Sequence, residues 1–236
     1  MRITRWSRLA TRPAATAQRF ARTAALLVAL ASTSHAALRS PQVPVSGTAL
    51  QSFFASQVQA INVVGSQLDA QTFSLPAGGS FQVIPFGTAS TTVGIYNAAV
   101  ASPPLYQVLP GAASPGWNAV ASFRTLPDRL VVNLFDNTNA FVGTVSYLGA
   151  DHTDFGFYSQ LPGGTSYSQD ARNPGGRAQM LAYNCTGARA GSMWFAFEST
   201  PATGGDFADA IFLVTLASAP VPASTSNWNR VKALFR

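Results

Sequence analysis

Two apolar runs near the end of the chain, GSMWFAFES (191–199) and DAIFLVTL (209–216), are separated by a turn that contains Gly204 and Gly205. Both runs are short and rich in aromatic and aliphatic residues, which fit the half-buried surface of a β-sheet. Glycine tolerates the backbone conformations that tight turns require. The stretch 191–216 therefore predicts a β-hairpin.

Similar runs precede this hairpin, and clusters of glycine, proline and asparagine separate them. They are SFQVIPF (80–86), STTVGIYNAAV (90–100), PLYQVLP (104–110), WNAVASFR (117–124), RLVVNLFD (129–136), FVGTVSYLG (141–149), DFGFYSQ (154–160), TSYSQ (165–169) and RAQMLAYN (177–184). Short strands with turn signals at roughly 8–12-residue spacing are typical of sandwiches. The sequence predicts an all-β fold, an antiparallel β-sandwich of jelly-roll-like form.

In one segment before these runs, the apolar residues have a different spacing. Apolar residues recur at three-to-four spacing across LQSFFASQVQAINVVGSQLDAQ (50–71), which predicts one short N-terminal helix. Gly65 and Ser66 end or interrupt it. Residues 61–64 fit a strand equally well.

The first residues of the chain have the features of a secretory signal peptide, which we call the leader. Six of the 15 basic residues lie in the first 22 positions, and no acidic residue precedes Asp69. An eight-residue apolar run (24–31) follows, and then Ser34 and Ala36 fit an A-x-A-like cleavage site. We expect residues 1–36 to be a bacterial Sec-type signal peptide, with a mitochondrial transit peptide as the alternative.

Removal of the leader changes the charge of the protein. The precursor has a formal charge of +6, but the remainder carries nine basic and nine acidic residues. A neutral domain loses the electrostatic support for nucleic-acid binding.

We expect a linker at 37–46, a sandwich domain at 47–217 and a loose tail at 218–236. We expect no transmembrane segment in the mature chain, since the apolar run is far shorter than the ~20 residues of a span.

An acidic turn connects the strands of the C-terminal hairpin. Asp206 and Asp209 follow the glycine pair, and Glu198 ends the preceding strand. Carboxylates that converge on a tight loop are ligands for Ca²⁺. The alternative is that these acids accept hydrogen bonds from backbone N–H groups of the turn. Spacing alone favours the second interpretation.

Two other groups of residues could carry chemistry. Asp151, His152 and Asp154 lie together, and His152 is the only histidine after the leader, so a hydrolase would have to use it. A solvated turn is the simpler interpretation. Cys185 is the only cysteine, which excludes an intrachain disulfide, and we expect a buried, inert thiol.

Four aromatic residues offer a further possibility. Tyr158, Tyr167, Tyr183 and Trp194 lie in predicted strands. Exposed on one face, they would form a platform on which a sugar ring stacks, and the chain would then be a carbohydrate-binding module. Aromatic residues that alternate along a strand are more often part of the core.

Several strings are similar to a family of secreted bacterial β-rich domains of unknown function, many with a PEP C-terminal sorting tail. They are VGIYNAA (93–99), VLPGAASPG (108–116), FGFYSQLPGGTSYSQDARNPGGRAQMLAYN (155–184) and MWFAFESTPATGGDFADAIFLVT (193–215). The family's end signature is F-E-D, a Gly-rich turn and D-x-D-[YF]-N-D. The resemblance covers most of 47–216 and implies an exported β-domain.

The signature matches this sequence only in part. Glu198 matches the Glu of F-E-D, and Asp206, Phe207 and Asp209 match the acidic and aromatic positions of D-[YF]-N-D. The family's acidic pattern implies calcium at Glu198, Asp206 and Asp209. Other oxygen ligands are replaced, by Ser199, Gly204 and Ala208. Fewer charged ligands weaken Ca²⁺ binding, so the resemblance implies a weak or degenerate site.

These observations favour an exported, non-enzymatic β-sandwich domain of the extracellular or envelope matrix. Its partner would be an extracellular polysaccharide or another matrix component. The segment from Val221 to Ala223 resembles the start of a sorting tail, but no apolar span follows. We therefore expect a released product. A carbohydrate-binding module and a hydrolase that uses Asp151, His152 and Asp154 remain alternatives.

Overall fold

The computed structural model of the chain describes residues 37–46, 49–86, 91–111, 116–161, 163–199 and 205–217. The predicted signal peptide and the predicted C-terminal tail lie outside these residues. Across the described ranges, no helix is long and apolar enough to cross a membrane.

The described residues form one α-helix and eleven β-strands. These are α1 (Ala49–Ser56), β1 (Ser80–Pro85), β2 (Thr92–Asn97), β3 (Leu105–Leu109), β4 (Asn118–Arg124), β5 (Arg129–Phe135), β6 (Phe141–Leu148), β7 (Phe155–Leu161), β8 (Gly164–Tyr167), β9 (Met180–Asn184), β10 (Ser192–Phe197) and β11 (Ala210–Ala217). Each predicted run overlaps one strand. The predicted all-β antiparallel sandwich with one short N-terminal helix is confirmed.

The strands form two antiparallel sheets. The large sheet has the order β6-β5-β4-β1-β11-β10-β9, and the small sheet has the order β3-β2-β7-β8. Two three-stranded meanders, β4–β6 and β9–β11, build the large sheet, and β1 lies between them. Two hairpins, β2–β3 and β7–β8, build the small sheet.

The main core lies between the sheets and is dominated by phenylalanine. Five rings form a chain of contacts with centroids 4.9 to 6.2 Å apart: Phe81, Phe123, Phe155, Phe157 and Phe195. All five are almost fully buried. Aromatic pairs at these distances add about 0.5–1.5 kcal/mol each beyond the burial of their surface.

A second core covers part of the outer face of the large sheet, where α1 packs. Leu50 and Phe54 lie on one face of the helix, since they are four residues apart, and both are fully buried. The ring of Phe54 packs edge-on against Tyr183, and that of Phe53 packs edge-on against Trp194. The strands β9 to β11 are therefore covered on both faces.

The helix is shorter than the periodicity predicts. It ends at Ser56 rather than near Gly65, and Val58 has a φ of 56°, which a right-handed helix does not allow. Residues 61–64 form neither helix nor strand. Ile61 is buried against the large sheet all the same, so the apolar spacing reflects burial of an irregular segment.

The segment predicted as a linker, 37–46, packs on the sandwich. Arg39 is buried and forms an ion pair with Asp170 (Nη1 to Oδ2, 3.0 Å). The backbone N–H of Val43 donates to Oε1 of Gln67 at 2.8 Å. Burial raises the pKa of Asp170, and the charge of Arg39 opposes this effect. These contacts attach the segment to the domain.

Two tyrosines lie flat on the outer face of the small sheet, each over a glycine of the neighbouring strand. Tyr158 of β7 covers Gly94 of β2, and Tyr96 of β2 covers Gly156 of β7. Both rings are almost fully buried. Glycine is required at both positions, because a Cβ atom at 156 would overlap the ring of Tyr96 and one at 94 would overlap the carbonyl of Tyr106 as well as Tyr158.

We expect Gly156→Ala to destabilise the protein by about 1–3 kcal/mol, because the added methyl group would displace Tyr96. Urea denaturation would measure the loss. Gly143→Ala in β6 is the matched control, since nothing lies within 4 Å of the Cβ that it adds. Equal stabilities of the two variants would contradict the close packing of Tyr96.

Candidate functional site

An open groove crosses one end of the outer face of the small sheet. It has a volume of about 640 Å³ and extends from the start of β3 to the end of β8. Pro103 and Leu105 line one side, and Tyr167, Gln169 and Arg172 line the other. This volume falls in the range of small-molecule sites, about 300–1,000 Å³.

Arg172 fixes the two sides of the groove to each other. Its Nη2 donates to the carbonyl oxygens of Ala98 (2.7 Å) and Val100 (2.6 Å), and its Nη1 donates to that of Ala101 (3.0 Å). Its Nε donates to Oε1 of Gln169 at 2.6 Å. The loop before β3 is thus tied to the turn after β8, and the groove is preformed.

Tyr96 forms the floor beneath Arg172, whose guanidinium carbon lies 5.0 Å from the ring centroid. Burial raises the pKa of Tyr96, and the hydrogen bond with Ser168 and the charge of Arg172 oppose this effect. The ring of Tyr167 stands edge-on to Tyr96, with centroids 5.2 Å apart, and is only half-buried. Tyr96 is therefore structural, whereas Tyr167 faces the groove.

Two polar groups at the groove are available to a ligand. No partner in the described part of the chain lies within hydrogen-bonding distance of the Tyr167 hydroxyl or of Nε2 of Gln169. Gln169 keeps its orientation because its Oε1 accepts from Arg172. The groove therefore combines an aromatic ring, apolar residues and two free hydrogen-bonding groups.

The structure separates the four aromatic residues that could form a sugar platform. Tyr158, Tyr183 and Trp194 are almost fully buried, as expected of core residues, and only Tyr167 lines the groove. Sequence reasoning missed Gln169 and Arg172, because no motif marks them. The backbone partners of Arg172 lie far away in the sequence, in the loop before β3, and Gln169 is held by Arg172.

The acidic turn brings Glu198 and Asp209 together. Their carboxyl groups hydrogen-bond to each other, and Oδ2 of Asp209 also accepts from the backbone N–H of Ser199 at 2.7 Å. Oε2 of Glu198 accepts from the backbone N–H of Phe207 at 3.2 Å. Burial opposes ionisation of Asp209, but the bonds from Ser199 and Glu198 lower its pKa.

The third predicted calcium ligand points elsewhere. Oδ1 of Asp206 accepts from the backbone N–H of Ala208 at 3.0 Å, as in a turn closed by a side chain. Across the described ranges, no three His, Cys, Asp or Glu side chains are grouped as metal ligands. Two carboxylates supply fewer oxygens than the six to eight that Ca²⁺ prefers. Gly204, one of the replaced family positions, lies outside the described residues.

The residues of the hydrolase alternative have structural contacts. Nδ1 of His152 lies 2.8 Å from the carbonyl oxygen of Leu75, and its own carbonyl accepts from the Leu75 N–H. Oδ1 of Asp151 accepts from both the backbone N–H and the hydroxyl of Thr153. Burial opposes ionisation of Asp151, but the bonds from Thr153 outweigh it and lower the pKa. His152 thus anchors the segment before β1.

Cys185 is buried at the end of β9, next to the helix-covered core. Burial raises the pKa of its thiol to about 12, and the charge of Arg189 opposes this effect. A thiol in this state is a poor nucleophile, since the thiolate is the reactive form. The expected burial of Cys185 is confirmed, and its inertness stays a prediction.

Comparison with known proteins assigns the chain to no family. No protein-family model matches the chain. No curated protein matches it. Among solved structures, the chain is similar to the C-terminal domain of the BC2L-C lectin from Burkholderia cenocepacia, with 16% identity over 61% of this chain and 92% of that chain. The TM-score is 0.27, and a similarity at this level does not bear on what the chain binds.

We expect the thiol of Cys185 in the native protein to react with an aromatic disulfide reagent at least about a hundredfold more slowly than in the unfolded protein. The measurement is made near pH 8, where an unperturbed thiol with a pKa of about 8.5 is partly ionised. The same protein in concentrated guanidinium chloride is the control. Equal rates in the two states would show that Cys185 is accessible.

Proposed function

We propose that the chain is an exported, non-enzymatic domain that binds a carbohydrate of the extracellular or envelope matrix. The observation that carries the proposal is the groove between the loop before β3 and the turn after β8, with half-buried Tyr167 on its side. The hydrogen bonds of Arg172 support it, because a preformed site loses little entropy on binding.

The chemistry of the groove fits a sugar ring. A sugar has apolar C–H faces and a rim of hydroxyl groups, so it needs both an aromatic surface and polar partners. Tyr167 and Leu105 provide apolar surface, while the Tyr167 hydroxyl and Nε2 of Gln169 provide hydrogen bonds. The lining exposes somewhat more polar than apolar surface, which fits a ligand that is rimmed with hydroxyl groups.

The charge of the groove favours an acidic sugar. Arg172 is the only charged residue in the described lining, and its described bonds go to uncharged oxygens. The positive charge is thus not neutralised by a carboxylate in the described lining. The positive charge would strengthen the binding of a uronic acid, and salt would weaken this electrostatic attraction.

Binding without cleavage is the simpler activity for this groove. Glycosidases use a pair of carboxyl groups that flank the bond to be cleaved. The described lining contains no carboxylate, imidazole or thiol. The secretory leader and the resemblance to exported bacterial β-domains support the matrix as the place of action.

A weak calcium site at the acidic turn is a second proposal, which rests on the contact between Glu198 and Asp209. A divalent cation can bridge two carboxyl groups that lie next to each other. Such a site would hold the turn between β10 and β11. It would stabilise the domain rather than take part in sugar binding.

We expect the protein to bind polygalacturonate more tightly than a neutral glucan, with an affinity that falls as salt rises. Tyr167→Ala should weaken the binding at least tenfold, or about 1.4 kcal/mol, because the stacking surface is lost. Isothermal titration with oligosaccharides would measure both effects.

Two variants serve as controls for this experiment. Tyr167→Phe keeps the ring and removes the hydroxyl, so it separates stacking from hydrogen bonding. Val64→Ala removes an exposed apolar side chain from the turn before β1, away from the groove, and should bind like the unmodified protein. Equal binding by Tyr167→Ala and the unmodified protein would exclude the groove as the site.

We expect millimolar Ca²⁺ to raise the thermal unfolding temperature, since a ligand that binds only the native state stabilises it. Glu198→Gln should abolish the rise, because it removes one of the two adjoining carboxyl groups. Mg²⁺ at the same concentration is the control for ionic strength. No rise with Ca²⁺ in the unmodified protein would contradict the calcium proposal.

A further inference from the structure

We propose that the free edge of β6 pairs with β6 of a second copy of this chain, so that the two large sheets form one continuous sheet. The strand is eight residues long, and it is an edge of the large sheet. Its sequence, FVGTVSYL, contains neither a charged residue nor proline. Natural proteins protect exposed edges with such residues, because a bare edge recruits another strand.

The other three sheet edges are protected. Leu68 donates its backbone N–H to the carbonyl of Ala182 in β9 at 2.9 Å. At β8, the Asn173 side chain pairs with both the N–H and the carbonyl of Tyr167. At β3, the backbone N–H of Gln107 donates to the hydroxyl of Tyr147 from β6, and prolines flank the strand.

The edge of β6 differs from these in the described part of the chain. No described segment pairs with the side of β6 that faces away from β5. Its side chains are also unusually exposed for apolar residues, with 61% of Phe141 and 70% of Leu148 accessible to solvent. Val142 and Val145 are 49% and 43% exposed. An apolar surface of this kind marks an interaction site.

A second copy fits this edge because antiparallel pairing of a strand with itself is closed by a two-fold axis. Each β6 then offers the same N–H and carbonyl groups that it needs from its partner. The axis would pass near the middle of the strand, close to Thr144. Exposed apolar residues of one strand would then lie beside those of the other.

The charges at the two ends of β6 are complementary in this arrangement. Asp136 lies beside the start of the strand, and hydrogen bonds from Thr138 and Ala140 lower its pKa, so it is ionised. Arg129 of β5 lies opposite Leu148, at the other end of the strand. Antiparallel pairing places the acidic end of each copy at the basic end of the other.

The association should be weak, since a strand pair is small beside the roughly 1,200–2,000 Å² of standard interfaces. Sedimentation equilibrium of the full chain should show a dimer at about 100 μM and a monomer at about 1 μM. A monomer at every concentration would overturn the proposal, and so would growth into open-ended oligomers.

Val145→Lys should weaken the dimer at least tenfold, because the two-fold axis brings the new charges of both copies close together. Val64→Lys is the matched control, since Val64 is a similarly exposed valine (37%) in a turn before β1. An unchanged dimer in Val145→Lys would overturn the assignment to β6.

A cross-linking experiment tests the symmetry without relying on the lysine variant. Thr144→Cys should form an intermolecular disulfide under mild oxidation, because the residue would face its own copy near the axis. Cys185 is buried and should not compete. Ser52→Cys, exposed on α1, is the control. Failure of Thr144→Cys to cross-link faster than Ser52→Cys would overturn the two-fold arrangement.

Discussion

The hydrogen bonds on both edges of β1 hold the large sheet together. On one edge β1 pairs with β4, from Ser80 opposite Ser122, and on the other with β11, from Ser80 opposite Ala217. Each flanking meander is built from local hairpins, so only β1 unites them. Pairing with β4 stops at Val83, and Pro85, which has no N–H to donate, lies beyond that end. These long-range pairs also predict slow folding.

The two surfaces that we assign to binding lie on different sheets. The groove crosses the small sheet, and the free edge of β6 belongs to the large one. A two-fold pair of chains would therefore carry two grooves. Two weak sites that reach the same polymer bind more tightly than one, because the second contact is intramolecular. A modest affinity at each groove would then suffice for attachment to a polysaccharide.

The strands could be predicted from the sequence because their signals are local, in composition and in turn residues. The helix predicted from the sequence is too long, since Ile61 has helical spacing but is buried in an irregular segment. The contact between Glu198 and Asp209 could be predicted, because the two residues flank the turn of a hairpin whose strands pair with each other. The groove could not be predicted. Arg172 contacts a loop far away in the sequence, and only the assembled sheet brings Tyr167 beside that loop.

The tyrosines that lie over glycines on the small sheet have a consequence for how the sequence can change. Gly156 and Tyr96 occupy a single volume, whereas a Cβ atom on Gly94 would also meet the backbone carbonyl of Tyr106. A larger residue at position 156 becomes tolerable only once Tyr96 is replaced by a smaller residue, and loss of Tyr96 leaves a void that a larger residue at 156 can fill. A smaller residue at position 158 does not free position 94, because the carbonyl of Tyr106 stays in place. Among related sequences, position 94 should therefore stay glycine, while positions 96 and 156 should covary.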